Sequence, residues 1–386
     1  MGCALTAALP YLDHNASTPC AKEVLAAMEP FWRGHFANPS SRGHRAALEA
    51  GAAVEQARRE LGRCLGCDPG WIHFTSGATE ADNLAIKGVC EARMDRGRHL
   101  VTVVSEHRAV LDPCRYLAGL GFTLTELAVD ASGRLDPLQL EATLRADTIL
   151  VSVMAANNET GVLQDIPTIA AVCRRREVPF HCDAAQAFGH VPLACGEAGP
   201  DLIALSAHKL YGPKGMGALV VRDGLRLAPQ LHGGGQEGGL RSGTVSTPLV
   251  VGFAKAAQLA HADRGERSAR LGRLREQLWQ GLLQGLPAWV DPLRNGRADQ
   301  TLPHTLNVSF RGVDGARLHS TLRRRIAVSS GSSCSNGKPS HVLMAMGRSR
   351  GEAEASIRFG LGRQTRPVEI DRAVEAVTQT LASLRH

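Results

Sequence analysis

The chain has 386 residues, of which 44% are hydrophobic, and it carries a net charge of +7. This length predicts one large and one smaller domain. The sequence contains no long run of basic residues, and aromatic residues make up only 4% of it. We therefore expect no direct contact with nucleic acid. No apolar run approaches the length of a membrane span, so no membrane contact is expected either. Ten cysteines at irregular spacings, without a secretory signal, favour reduced thiols and a cytoplasmic location.

Apolar runs alternate with helix-like segments through the first two thirds of the chain. The predicted elements are a helix over 45–61, a strand over 71–74, a helix over 76–90, and strands over 100–104, 148–154, 178–182, 202–205 and 217–221. Strands that alternate with helices in this way predict an α/β fold, in which a mainly parallel sheet is covered by helices on both faces.

The last third of the chain predicts a smaller α+β domain. A long amphipathic region from about Thr247 to Leu286 leaves the large domain and leads to a strand over 304–310 and a helix over 314–324. A final helix begins at Pro367. We therefore expect a large domain over 19–257 and a small domain built from 1–18 and 258–386.

The most informative stretch is DLIALSAHKLYGPKGMG, which begins at Asp201. A short apolar segment, predicted to be a strand over 202–205, is followed there by Ser206, His208 and Lys209. A lysine beside a buried strand can lose its proton and act as a nucleophilic amine. An isolated lysine more often extends past the strand end into water. The neighbouring serine and histidine are suited to donate to a phosphate, and they favour the first interpretation.

Two further segments suit the same chemistry. TSGATE, over 75–80, is a small-residue loop that opens a helix and so leaves N–H groups for a phosphate, although an ordinary capped helix has the same pattern. Asp183 follows the strand over 178–182. A carboxylate in that place can keep a pyridine nitrogen protonated, or it can simply cap the next helix.

Together these segments resemble the motifs of group I cysteine desulfurases, which are pyridoxal-phosphate (PLP) enzymes of fold type I. The resemblance spans nearly the whole chain and keeps the motifs in order. The matching segments are LDHNASTP at 12–19, NPSS at 38–41, TSGATE at 75–80, EH at 106–107, SAHKLYGPKG at 206–215, GGGQE at 233–237 with RSGT at 241–244, SSGSSC at 329–334, and IRFGLG at 357–362. Fold type I implies a large domain with a sheet of the seven-stranded type.

The resemblance implies a role for each matching residue. Lys209 would bind PLP covalently, His107 would stack on its ring and move protons, and Asp183 would pair with the ring nitrogen. Arg358, assisted by Asn38, would bind the substrate carboxylate. The other cofactor-binding positions would be Ala78, Thr79, Asn158, Gln186, Ser206, His208 and, donated by the second subunit of a homodimer, Thr244. No metal is expected.

Cys334 is expected to decide the reaction. It lies among serine, glycine and asparagine, whereas the other cysteines lie in or beside apolar segments. As a nucleophile it would take sulfur from L-cysteine as a persulfide, leave L-alanine, and pass the sulfur to an acceptor protein. Ser333 stands where the family pattern has alanine, Thr160 where it often has isoleucine, and the stretch after Cys334 is slightly short.

Several alternatives stay open from the sequence. The acceptor could serve iron–sulfur cluster assembly, tRNA thiolation or DNA phosphorothioation. A selenocysteine or cystine lyase, an aminotransferase or another fold type I PLP enzyme would share most of the same residues. A sulfur-scaffold protein that has lost turnover is the non-enzymatic alternative, although the intact Lys209, Asp183 and His107 favour an enzyme.

Overall fold

The computed structural model describes residues 9–193, 195–196, 198–330 and 339–384. Cys334 therefore lies outside the described residues. The strands that the structure describes are β1 (Ile72–Thr75), β2 (His99–Val103), β3 (Thr123–Leu127), β4 (Thr148–Ser152), β5 (Phe180–Asp183), β6 (Leu202–Ser206), β7 (Gly217–Val221), β8 (Asp291–Arg294), β9 (Thr305–Arg311) and β10 (Ser356–Gly360).

The helices are interleaved with these strands. They are α1 (Lys22–Met28), α2 (Pro30–Arg33), α3 (Arg45–Leu65), α4 (Ala78–Ala92), α5 (Arg108–Gly119), α6 (Pro137–Thr143), α7 (Ile166–Arg175), α8 (Thr247–Ala262), α9 (Arg264–Gly285), α10 (Gly315–Leu322), α11 (His341–Ala345), α12 (Arg350–Glu354) and α13 (Pro367–Ser383). Within the described ranges, no helix is both long and apolar enough to cross a bilayer.

The large sheet has seven strands in the order β1-β7-β6-β5-β4-β2-β3. All neighbours run parallel except β7, which is antiparallel to both β1 and β6. The central strands are buried along their whole length because helices cover both faces. Along β6, Leu202 and Ala204 belong to the core beneath α4, whereas Ile203 and Leu205 belong to the core with α3 and α8. The predicted α/β fold with a mainly parallel sheet is confirmed.

A second sheet, in the order β10-β9-β8, is antiparallel throughout and packs with α9, α10 and α13. The N-terminal arm joins this unit. Tyr11 forms a bridge with Ala327, Asp13 forms one with Gly360, and Leu12 is fully buried in the same core. This is the smaller α+β unit that the sequence predicts. The predicted domain boundaries, a large domain over 19–257 and a small domain over 1–18 and 258–386, stay a prediction.

Some elements differ from the predicted ones. The amphipathic region after Thr247 is two helices, α8 and α9, that meet at Asp263. The strands β3, β8 and β10 were not predicted. β3 and β8 are short edge strands with half-exposed polar residues, so neither produces the apolar run that marks a buried strand. β10 is buried, but serine, arginine and glycine interrupt its apolar residues.

Candidate active site

A cavity of about 630 Å³ opens where the carboxyl ends of β5 and β6 meet the N-terminus of α4. Parallel strands bring their carboxyl ends to one edge of the sheet, which is where α/β proteins bind ligands. The cavity gathers most of the predicted site residues. They are Ala78, Thr79, His107, Asn158, Asp183, Gln186, Ser206, His208, Lys209 and Arg358.

Lys209 lies in a short 3-10 turn that directly follows β6. Its Nζ donates to two backbone carbonyls of the N-terminal arm, Asn15 O at 2.6 Å and Ala16 O at 2.8 Å. The arm is held in turn by Gln186, whose Nε2 donates to Asn15 O at 3.0 Å. The amine is therefore fixed at the cavity wall by chain segments that are distant in sequence.

Asp183 ends β5 at the cavity floor and is almost completely buried. Its Oδ1 accepts from the Ala185 N–H at 2.9 Å. Burial raises the pKa of this carboxyl, while the Ala185 N–H and the charges of His107 and Lys209 lower it. A buried carboxylate of this kind is stabilised by a cation placed against it. A protonated pyridine nitrogen is such a cation, so Asp183 fits the ring of PLP.

The N-terminus of α4 fits the phosphate. Gly77 precedes the helix with a φ of 155°, and no side chain caps it. A Cβ on Gly217 of β7 would lie 2.7 Å from the Gly77 backbone, so glycine is required where strand and helix approach. First-turn N–H groups and the positive end of the helix dipole suit a phosphate dianion.

Two histidines beside the cavity are held as neutral rings. His107 is the N-cap of α5, and its Nδ1 accepts from the Ala109 N–H at 3.1 Å. Burial lowers the pKa of His107. His208 contacts Ser17 Oγ through Nδ1 at 3.1 Å, and burial with the nearby lysine charges lowers its pKa to about 4. Neutral imidazoles can accept protons or donate to phosphate without adding charge.

Arg358 of β10 crosses from the small sheet to the cavity, where it is only 4% exposed. One nitrogen, Nη1, donates to Asn158 O at 2.9 Å, and Nη2 pairs with Asp13 Oδ1 at 2.8 Å. Its Nε is buried and has no hydrogen-bond partner among the described residues. A buried donor of this kind is costly unless a ligand accepts from it, and a substrate carboxylate is such a ligand.

Two predicted residues that the structure describes, Asn38 and Thr244, do not line this cavity. Asn38 is exposed, and its Oδ1 accepts from the Ser40 N–H in a turn. Thr244 is also exposed and outside the cavity lining, as expected of a residue that would serve the other subunit. The predicted role of Cys334 falls on a residue outside the described ones.

The loop that carries Thr244 is anchored by ion pairs and a hydrogen bond. Glu237 forms a short ion pair with Arg58 at 2.8 Å and accepts from the Phe74 N–H at 2.7 Å. Arg241 pairs with Glu80 of α4 at 2.7 Å. The loop is therefore fixed against the helix whose N-terminus opens the cavity.

Comparisons with known proteins agree on the family. The model of the class-V aminotransferases matches residues 10–373. The cysteine desulfurase IscS of an Anaeromyxobacter species is 47% identical over 97% of this chain and 93% of the relative, and the one of Methylococcus capsulatus is 46% identical over the same shares. This chain belongs to the cysteine desulfurase family.

Two solved structures have a similar architecture. A NifS-like protein superposes with a TM-score of 0.91 at 35% identity, covering 97% of this chain and all of that one. A structure described as SspA in complex with cysteine has a TM-score of 0.80 at 38% identity, covering 91% and 98%. The class-V cysteine desulfurases depend on PLP, and the cavity described above fits that cofactor.

The cysteine desulfurase site also includes residues that sequence reasoning missed. Glu159 lines the cavity and accepts from Ser340 Oγ, and burial raises its pKa to about 7. Asp82 of α4 and His341 of α11 line it too. Asp82 lies one helical turn after Ala78, in the helix that TSGATE opens. This spacing was the signal that could have predicted Asp82 as a residue of the same cavity. Nothing local marks Glu159 or His341, because both are brought in by packing.

Proposed function

We propose that this protein takes sulfur from L-cysteine, releases L-alanine and holds the sulfur as a persulfide on Cys334 for an acceptor protein. One observation carries the proposal. Lys209, the buried carboxylate of Asp183 and the guanidinium-bearing Arg358 line one cavity. The relative SspA binds cysteine in its solved complex, which supports L-cysteine as the substrate.

When bound, PLP supplies an electron sink beside the substrate's α-carbon. Lys209 would hold the cofactor, Asp183 its ring nitrogen, and the first turn of α4 its phosphate. Lys209 and His107 would then move protons at the substrate carbons. Both groups border the cavity, and the lowered pKa of His107 keeps its ring neutral and able to accept a proton at pH 7.

Arg358 would orient the substrate. Its guanidinium is already fixed by Asp13 and by the Asn158 carbonyl, so little side-chain freedom is lost when a carboxylate binds. The carboxylate would accept from this guanidinium. This arrangement fixes the amino acid by its α-carboxylate, which is the end common to all amino acids, so selectivity for cysteine must come from the reaction of its sulfur.

The sulfur step needs a second thiol. Cys334, as a thiolate, would attack the substrate sulfur, so that an S–S bond forms as the C–S bond breaks. The electron pair of the C–S bond stays with the carbon fragment, which takes up a proton and leaves as alanine. An unperturbed thiol has a pKa near 8.5, so it is only a few per cent ionised at neutral pH and needs a base.

The assembly and its surroundings belong to the same proposal. A homodimer is supported by Thr244, which lies in an anchored loop, is exposed, and does not line the cavity of its own chain. A cytoplasmic location is supported by the described cysteines, all of which are free thiols. A sulfur-acceptor protein is needed because the persulfide sulfur must be transferred from Cys334 before the next turnover.

The test is mass spectrometry of the protein after incubation with L-cysteine, together with an assay of alanine. We expect one added sulfur on the peptide that contains Cys334, and alanine release that stops in Cys334→Ala. Cys64→Ala, at a half-buried cysteine outside the cavity, is the matched control.

Each of the other outcomes favours a different function for this protein. Sustained activity of Cys334→Ala on L-cysteine favours a lyase or an aminotransferase, which need no such thiol. Absence of alanine from the unmodified protein favours a sulfur scaffold that has lost turnover. Sulfur found only on another cysteine refutes the assignment of Cys334.

A further inference from the structure

Two cysteines that are distant in sequence meet beside the large sheet. Cys67 follows the C-terminus of α3, and Cys195 lies in the connection between β5 and β6. Both are half-buried free thiols that pack against the core shared by α3, α8 and the large sheet. The Cys67 thiol donates a hydrogen bond to the sulfur of Cys195. The two sulfur atoms are therefore neighbours, as the formation of a disulfide requires.

The position of Cys67 is fixed by the end of α3. Gly66 terminates this helix in the left-handed conformation, with a φ of 68°, and the Cys67 N–H donates to Gly62 O at 3.0 Å. Cys64 precedes this turn, at the CxxC spacing that is found in redox proteins. Burial is the main influence on the pKa of Cys64, whereas the main influence on the pKa of Cys67 is its hydrogen bond to Cys195. The thiol partner of Cys67 is therefore Cys195 and not Cys64.

The two thiols border a cleft that is open to water. Cys67 and Gly196, which follows Cys195, line this cleft of about 440 Å³ together with the exposed residues Arg63 and Asp68. Within the described ranges, the cleft shares no lining residue with the candidate active site. A small oxidant can therefore enter the cleft without passing through the active-site cavity.

The two thiols differ in acidity. The hydrogen bond from Cys67 lowers the pKa of Cys195, burial opposes this effect, and the Gly196 N–H lowers the pKa further. The same hydrogen bond raises the pKa of Cys67, and burial raises it as well. Redox-sensitive cysteines are partly exposed, have a lowered pKa and lie next to a second thiol, because the thiolate is the form that attacks an oxidant. Cys195 therefore fits the thiol that reacts first, and Cys67 fits the one that completes the disulfide.

We propose that Cys195 and Cys67 are a peroxide-sensitive pair that forms a reversible disulfide. The sulfur of Cys195 attacks one oxygen of hydrogen peroxide, the O–O bond breaks, and a sulfenic acid forms while water leaves with the proton of the Cys195 thiol. The sulfur of Cys67 then bonds to that of Cys195 as the S–O bond breaks, and the hydroxyl leaves as water with the proton of Cys67. The two thiols lose two electrons, and one hydrogen peroxide is reduced to two waters. This site goes beyond the proposed function, because it uses neither the cofactor nor Cys334.

The disulfide would act on the stability of the fold. It would join the end of α3 to the connection that enters β6, the strand that Lys209 follows. A covalent link that closes so long a loop restricts the unfolded chain far more than the folded one. We therefore expect the oxidised protein to melt several degrees above the reduced protein, and a reducing agent to reverse the shift.

The test is peptide mapping by mass spectrometry without reduction, on the PLP-loaded protein before and after treatment with hydrogen peroxide. We expect a pair of peptides that is joined through Cys67 and Cys195 and separates on reduction, and a single chain on a non-reducing denaturing gel. Cys67→Ala should instead leave Cys195 as a sulfenic acid that dimedone traps. Cys195→Ala should prevent both the link and the rise in melting temperature, whereas Cys64→Ala, the matched control, should retain both.

The inference is overturned by a disulfide that joins Cys64 to Cys67, by a link between two chains, or by unreacted Cys67 and Cys195 at a peroxide concentration that oxidises Cys334. An unchanged melting temperature in the fully linked protein, or a rise that persists in Cys195→Ala, contradicts the stabilising role of the disulfide. Because alanine release is not a readout of this experiment, its results judge the pair of thiols independently of the proposed function.

Discussion

The guanidinium of Arg358 donates to the carboxylate of Asp13 at 2.8 Å, which joins the last strand of the small sheet to the N-terminal arm at the edge of the cavity. A substrate carboxylate must therefore bind an arginine whose charge is already shared. Asp13 both orients the guanidinium and competes with the substrate for its charge. Variants of the two residues separate these effects.

For Arg358→Gln we expect KM for L-cysteine to rise about a hundredfold, because a charge-assisted hydrogen bond to the carboxylate is lost. The visible spectrum of the cofactor should not change, since the residues expected to bind the cofactor are all kept in this variant. Asp13→Asn is the matched variant, in which the amide oxygen can still accept from Nη2 while the competing charge is gone. It should lower KM severalfold, and steady-state kinetics with L-cysteine reads out both variants. An unchanged KM in Arg358→Gln would contradict the substrate role of Arg358.

Lys209→Ala should abolish turnover and remove the covalent link to the cofactor, although PLP can stay bound through its phosphate contacts. The physical reason is that, in the described part of the chain, Lys209 is the lysine placed in the turn that directly follows β6. Lys214→Ala is the control, because Lys214 lines the same cavity. Absorption spectra and mass spectra after borohydride reduction report the link. A reduced PLP adduct that persists in Lys209→Ala would place the link on another residue.

The protein should sediment as a homodimer, and Thr244→Val should weaken PLP binding about tenfold through the loss of one hydrogen bond to the phosphate. Equilibrium titration of the cofactor-free protein measures this affinity. Thr247→Val, at a buried threonine in the first turn of α8, controls for the loss of a hydroxyl. A monomer with undiminished affinity for PLP would contradict the idea that Thr244 serves the partner subunit.

Asp82→Asn should change how stability depends on pH. Asp82 is fully buried, its oxygens have no hydrogen-bond partner among the described residues, and His181 Nε2 lies 3.4 Å away. Burial, with the charges of Asp183 and Glu106, raises the pKa of Asp82 well above its ordinary value. The folded protein therefore holds a proton that the unfolded chain releases above about pH 4, so the stability contribution is lost as pH rises.

Asparagine has no such proton to lose. The melting temperature of Asp82→Asn should therefore improve relative to the unmodified protein between pH 5 and pH 8, by a few degrees. Differential scanning calorimetry measures the shift. Asp95→Asn, at an exposed carboxylate, is the surface control. A difference in melting temperature that is constant across this pH range would show that Asp82 is ionised in the folded protein.

The sequence by itself predicted the α/β alternation, the mainly parallel sheet and the group of residues that lines the cavity. It could do so because Thr79, Asp183 and Lys209 each lie at or just beyond the carboxyl end of a strand. Parallel strands carry their carboxyl ends to one edge, so residues far apart in the chain meet there by topology alone. The edge strands β3 and β8 escaped prediction because half-exposed polar residues obscure the apolar pattern.

Only the tertiary structure decided the state of the side chains around that cavity. The pairing of Arg358 with Asp13, the pKa of Glu159 near 7 and the hydrogen bond between His341 Nε2 and Glu106 O all depend on groups that are separated by long stretches of chain. Burial and neighbouring charges set these properties, and neither is visible in local sequence. The sequence names the residues that can react, and the packing determines which atom of each one holds a proton.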